Sequence, residues 1–129
     1  MSKSTDSRQG ALLDFEAEKG RTFYRILHCQ FYDSGHTLQD FQWTNYSGAT
    51  MSVKRTSKGS VIELHFTTDD GTLVLDNDGR LTFNQTAEVM DTIRAGDYQY
   101  DLYILGTDPN YAERDFLYGK FTVASKITL

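Results

Sequence analysis

The chain has 129 residues and a formal net charge of −5. That length suits one domain able to bury a core without a metal or a disulfide, and the acidic balance argues against nucleic acid and an anionic membrane as partners, since both favour a basic surface. The composition, 39% hydrophobic and 24% charged, is that of a soluble globular protein, with no apolar run near the length of a transmembrane helix. The polar stretch Met1 to Gly10 lacks the apolar core of a secretory signal. A lone Cys29 forms no internal disulfide, which fits folding in a reducing cytoplasm.

Residues 1–11 are rich in Ser, Thr and charge and carry no periodicity, so they are expected to form a flexible tail. Leu12–Glu18 reads as a first strand with Leu13, Phe15 and Ala17 on one face, closed by a Lys19-Gly20 turn. Arg21–Tyr32 reads as one longer strand. Phe23, Leu27, Cys29 and Phe31 share a parity that Arg25 interrupts, and Tyr24 and Ile26 load the opposite face. After an Asp33-Ser34-Gly35-His36 turn, Thr37–Gly48 is irregular, a connection between sheets whose Phe41, Trp43 and Tyr46 fold back on the core.

Ala49–Arg55 reads as a strand with Met51 and Val53 inward, followed by a polar hairpin turn at Thr56–Ser60 and a returning strand Val61–Thr67, with Ile62, Leu64 and Phe66 on one face. Asp69-Asp70-Gly71 reads as another hairpin turn. Leu73–Leu75 and Leu81–Phe83 flank a tight Asp76-Asn77-Asp78-Gly79 turn, where Gly after Asp suits positive φ. Asn84–Arg94 is the helical candidate, capped by Thr86, with Val89, Met90 and Ile93 on one face.

Ala95-Gly96 then turns the chain into a strand in which Tyr98, Tyr100, Leu102 and Ile104 alternate with Gln99, Asp101, Tyr103 and Leu105. A Tyr two residues past that Gly stands where a tyrosine corner forms in Greek-key sandwiches, its hydroxyl returning to the backbone near Ile93 or Arg94. Tyr100 takes the place of the Cys that follows this Tyr in antibody domains. Gly106–Ala112 is a short loop, and Glu113–Val123 is a last strand running antiparallel to the Tyr98 strand, with Phe121 and Val123 inward. The expected fold is therefore an all-β, immunoglobulin-like antiparallel sandwich over residues 12–124 with one short helical segment, and residues 125–129 as a C-terminal tail.

Chemistry is sparse in this pattern. The Asp76–Gly79 stretch lacks the further ligands and terminal Glu of a calcium loop. His28, His36 and His65 show no ligand spacing, which leaves a zinc site with Cys29 only by assembly in space; no metal or cofactor is expected. Nucleophile-elbow, phosphate-loop and dinucleotide motifs are missing, so an enzyme, such as a small hydrolase, is the remote option. Two binding readings remain. Parity places Tyr103, Leu105, Phe116 and Tyr118 together on an outer face, a protein-interface candidate. Alternatively, Phe41, Trp43 and Tyr46 would stack on a sugar, making a glycan- or host-receptor-binding module.

One set of residues, in order, carries a resemblance. It runs through Phe15-Glu16-Ala17-Glu18-Lys19-Gly20, Thr22-Phe23 with Arg25 and Leu27, Trp43-Thr44-Asn45-Tyr46, the Met51–Arg55 strand, and Thr67-Thr68-Asp69-Asp70-Gly71 with Leu73. It continues through Gly79–Phe83, the block Ala95-Gly96-Asp97-Tyr98-Gln99-Tyr100-Asp101-Leu102, and Gly119-Lys120-Phe121-Thr122-Val123. This set resembles small structural virion proteins of tailed bacteriophages, and in particular the immunoglobulin-like N-terminal domain of baseplate upper proteins, across residues 12–124. The resemblance implies a non-enzymatic tail, baseplate or neck adaptor, made in the host bacterial cytoplasm and carried in the virion. It would contact other virion proteins and copies of itself in a symmetric ring, with capsid decoration as a remote alternative. Baseplate upper proteins continue into a stalk that carries receptor-binding proteins, whereas this chain stops at Leu129, so a stand-alone adaptor is expected.

Overall fold

The computed structural model describes residues 11–44, 46–56, 59, 61–76, 78–107 and 114–125. Of the expected tail at 1–11, residues 1–10 lie outside them, while Ala11 is in a strand. Ser57, Lys58 and Ser60 of the hairpin turn, Asn77 of the tight turn, residues 108–112 of the last loop, Glu113 and the final residues 126–129 also lie outside them.

The chain is an immunoglobulin-like β-sandwich. Its larger sheet holds β1 (Ala11–Leu12) and β2 (Phe15–Glu18), both parallel to β11 (Arg114–Ala124), then β10 (Gly96–Gly106), β6 (Tyr46–Lys54) and β7 (Leu64–Thr67), each antiparallel to its neighbour. The smaller sheet is β3 (Phe23–His28), β9 (Arg80–Gln85) and β8 (Leu73–Asp76), antiparallel throughout. A separate hairpin joins β4 (Gln30–Tyr32) to β5 (Leu38–Asp40).

Period-two alternation builds the core. Phe15, Met51, Val53, Phe66, Tyr98, Tyr100, Leu102, Ile104, Phe121 and Val123 point inward from the larger sheet, and Phe23, Leu73, Leu81 and Phe83 meet them from the smaller one. Phe15 sits at the centre, its ring 5.2 Å from both Phe83 and Tyr100 and 5.8 Å from Phe23. Tilted and edge-on pairs at such separations add to plain burial. A buried amide ties the sheets together: Gln85 Nε2 donates to the His65 carbonyl at 3.2 Å and Gln85 Oε1 accepts from Thr86 N–H.

Several expected elements differ. The long second strand breaks at Cys29, whose N–H donates to Gly79 O while its carbonyl accepts from Phe41 N–H, both at 2.8 Å. The chain leaves the smaller sheet there, and Phe31 is exposed rather than inward. The irregular connection contains β5, paired residue for residue with β4. Gly79 lets this crossing come close: a Cβ there would stand 2.7 Å from Cys29 O, and its φ is +84°. Ile62 is exposed, because the returning strand joins the ladder only at Leu64. The Asp69-Asp70-Gly71 turn carries the chain from β7 in one sheet to β8 in the other, so it is a sheet crossing and not a hairpin. The helix shrinks to one turn, α1 (Ala87–Met90), since Asn84 and Gln85 are held in β9. Thr86 caps it by accepting from Val89 N–H, Met90 and Ile93 are buried, and Val89 is exposed.

Candidate functional site

The strand that opens at Gly96 is anchored at two points. Tyr98 donates its hydroxyl to the Arg94 carbonyl at 2.5 Å, closing a tyrosine corner. Lys19, from the Lys-Gly turn, donates to the carbonyls of Asp91 and Ile93 and holds the same corner from outside. Tyr100 reaches the other way. Its hydroxyl donates to Leu13 O at 2.6 Å, where the chain passes from β1 to β2 over Gly119. Asp14 accepts from Lys120 N–H and Leu13 N–H donates to Tyr118 O, both at 2.9 Å. A Cβ on Gly119 would lie 2.2 Å from Leu13 O, so the crossing requires glycine. Burial pushes the Tyr100 phenol well above its ordinary value, and the charges of Asp14 and Asp101 add to the effect. Where an antibody domain has a disulfide cysteine, this chain uses a buried hydroxyl to fasten its first strands.

The outer face of the larger sheet follows from the same register. Tyr118 stands opposite Asp101 on β10 and Leu12 on β1, Tyr103 opposite Thr50 on β6, and Leu105 opposite Gly48. Tyr103, Leu105 and Tyr118 are half-buried and Leu12 is 67% exposed. Leu12 extends the strip, and its parity opposite Phe15 was the signal for it in the sequence.

Phe116 departs from its expected place. The β10–β11 register shifts between Leu102 and Tyr103, so that Leu117 pairs with Leu102 and Asp115 with Tyr103. Phe116 is the extra residue of this bulge. Its ring packs 5.2 Å from Phe41 and 5.4 Å from Trp43, away from Tyr103 and Tyr118.

This also decides the form of the aromatic loop. Phe41 lies 4.7 Å from Trp43 and 6.1 Å from Tyr46, and Trp43 is only 6% exposed. The three rings plug one end of the sandwich instead of presenting a stacking platform. Trp43 Nε1 is buried without a hydrogen-bond partner among the described residues.

The perturbed titratable groups have local causes. The Asp33 carboxylate is held below its usual range chiefly by Thr37 N–H, with Gln39 and Gly35 adding, all within its own turn. Asp40 is lowered first by the Gln30 amide and then by His28, whose Nε2 lies 2.8 Å away. Asp70 is lowered mainly by the Thr72 hydroxyl across the sheet crossing. Burial raises the Cys29 thiol to about 11, which makes it a weak ligand and nucleophile near neutrality. Among the described residues, no group of three or more His, Cys, Asp and Glu stands close enough to hold a metal ion.

No family model matches the chain, and no curated protein matches it. Among solved structures, the crystal structure of CopC from Methylosinus trichosporium OB3b is similar, with a TM-score of 0.43 and 10% identity over 93% of this chain and 88% of that one.

Proposed function

We propose that this protein is a structural component of a tailed-phage virion, a non-enzymatic adaptor that joins neighbouring virion proteins in the tail, baseplate or neck. The ordered motif set described above supports the virion part of this reading. The adaptor part is carried by one observation: the outer face of the larger sheet gathers Leu12, Tyr103, Leu105 and Tyr118 into one strip. Tyr and Leu side chains of this kind supply large contact area at an interface core. The perturbed carboxylates are each occupied in shaping a turn or hairpin, which agrees with a framework role for them.

The test is a Tyr103→Ser, Tyr118→Ser double variant expressed during infection. It should fold with the wild-type circular dichroism spectrum and be missing from purified particles. In wild-type particles the protein should show a small copy number set by the symmetry of the tail. Normal incorporation of the double variant would remove the adaptor role from this face, and a copy number scaling with the capsid would move the protein to decoration.

A further inference from the structure

Both β1 and β2 pair with β11, so among the described residues β3 has no strand on its outer side. The ladder to β9 places Phe23, Arg25 and Leu27 on the inner face, and the Cys29 N–H bond to Gly79 O sets which backbone groups serve that ladder. By the alternation of an antiparallel pair, the N–H and C=O groups of Tyr24, Ile26 and His28 point outward, along the open edge. Beside this edge a cleft of about 430 Å³ separates β3 from β2, and the charged residues of its lining are Glu16, Glu18, Arg21 and Arg25.

Two further features mark the edge. Tyr24 and Ile26 are each 51% exposed, and the outer-face row continues from Ile26 through Thr82 to the exposed Val74. On the inner side, Arg25 lies over the Phe23 ring at 4.6 Å and donates to two carbonyls, Tyr24 O at 2.9 Å and Glu16 O at 2.7 Å. Its contacts are with neutral acceptors, while nearby Arg21 is paired with Glu18 at 2.7 Å. An inward-pointing charge of this kind disfavours edge pairing by strands that cannot meet it, whereas an incoming carboxylate makes a stronger, forked acceptor for a guanidinium than two separate carbonyls do.

We infer that the β3 edge is a strand-addition site for an extended peptide segment of a partner protein, one with apolar residues at alternate positions flanking a single Asp or Glu. The partner's backbone pairs with the outward groups of Tyr24, Ile26 and His28. Its acidic side chain turns inward to Arg25, and its apolar side chains lie outward beside Tyr24 and Ile26 and lengthen the strip that ends at Val74. Main-chain pairing supplies affinity and the alternate side chains supply selectivity. This inference is independent of the virion reading and of the larger sheet's outer face.

The experiment titrates the full chain with a fluorescein-labelled peptide, acetyl-Thr-Thr-Val-Glu-Val-Thr-Thr-amide, and with the same peptide carrying Lys for Glu. The Glu peptide should bind on the order of tenfold more tightly than the Lys peptide, as expected for a charge-assisted contact. Amide shifts in the protein should centre on residues 24, 26 and 28. Arg25→Glu should invert the preference, and Arg25→Gln, which keeps donors for the two carbonyls, should abolish it. Equal binding of the two peptides, shifts centred on another element, or an unchanged preference in Arg25→Gln would each overturn the proposal. Self-association cross-linked through β3 would overturn it too, by assigning the edge to a second copy.

Discussion

The two fastenings of this sandwich use opposite chemistry. Tyr98 and Tyr100 secure the strand that follows the helical turn by hydroxyl-to-carbonyl bonds of 2.5 and 2.6 Å, with their rings fully in the core. At the other end Phe41, Trp43, Tyr46 and Phe116 close the fold by ring contacts, and the polar atom of Trp43 has no partner among the described residues. In the first region a polar handle adds specificity to burial. In the second, the Phe41 and Tyr46 backbone N–H groups are bonded to Cys29 O and Trp43 O, and the Trp43 ring is held by packing. Its indole N–H, with no partner among the described residues, is a cost, since a buried unpaired donor forfeits its hydration.

The largest effect is expected at the ring-packed end. Trp43→Ala should destabilise by about 3–5 kcal/mol in urea unfolding, the usual range for emptying a large aromatic site. Trp43→Phe in the same assay should cost under about 1.5 kcal/mol, because the lost area is offset by removal of an unpaired donor. If the two substitutions cost the same, the N–H has a partner and the contrast between the regions fails.

Tyr100→Phe comes next, at about 2 kcal/mol, since it loses a hydrogen bond and leaves Leu13 O short of a partner. It also carries a pH signature. The folded phenol titrates above its unfolded value of about 10, so its contribution is complete below that pH and is lost as pH rises through the folded value. Thermal melts from pH 9 upward should therefore fall more steeply for the wild type than for Tyr100→Phe. Parallel curves would show that the phenol does not sense its burial.

The smallest effect is expected at the corner. Tyr98→Phe removes one hydrogen bond near an exposed turn, where water can serve the Arg94 carbonyl, and should cost about 1 kcal/mol by chemical denaturation. An unchanged midpoint would mean that the corner is held by Lys19 and ring packing instead.

These features differ in how far the sequence revealed them, and the difference is physical. The tyrosine corner, the Thr86 cap and the Gly79 turn depend on residues within a few positions of one another, so local pattern was enough. The break at Cys29 depends on Gly79 and Phe41, both distant in the chain, and no local signal marks it. The bulge at Phe116 is set by the pairing of β11 with β10, and it moves one member of the expected outer strip into the aromatic plug. Tyr103, Leu105 and Tyr118 kept their parity because the extra residue of the bulge is Phe116 on β11: β10 alternates without a break, and Tyr118 lies on the Phe121 side of the bulge. The open edge of β3 was hidden for the same reason as the bulge. Tyr24 and Ile26 were readable as an outer face, but whether that strand is an edge depends on β2 choosing β11 over β3.

That choice also governs when the fold can form. Phe15, the centre of the aromatic core, enters the larger sheet only by pairing with Phe121, and the Asp14 contact to Lys120 spans 106 positions of sequence. During synthesis, the first strands wait for the last before they find their ladder. Until then Phe15 and the outer side of β10 have no partner, and the nascent chain is exposed to aggregation through both. With such long-range pairing the closing step is expected to come late and to be slow, as contact order predicts for β-sandwiches.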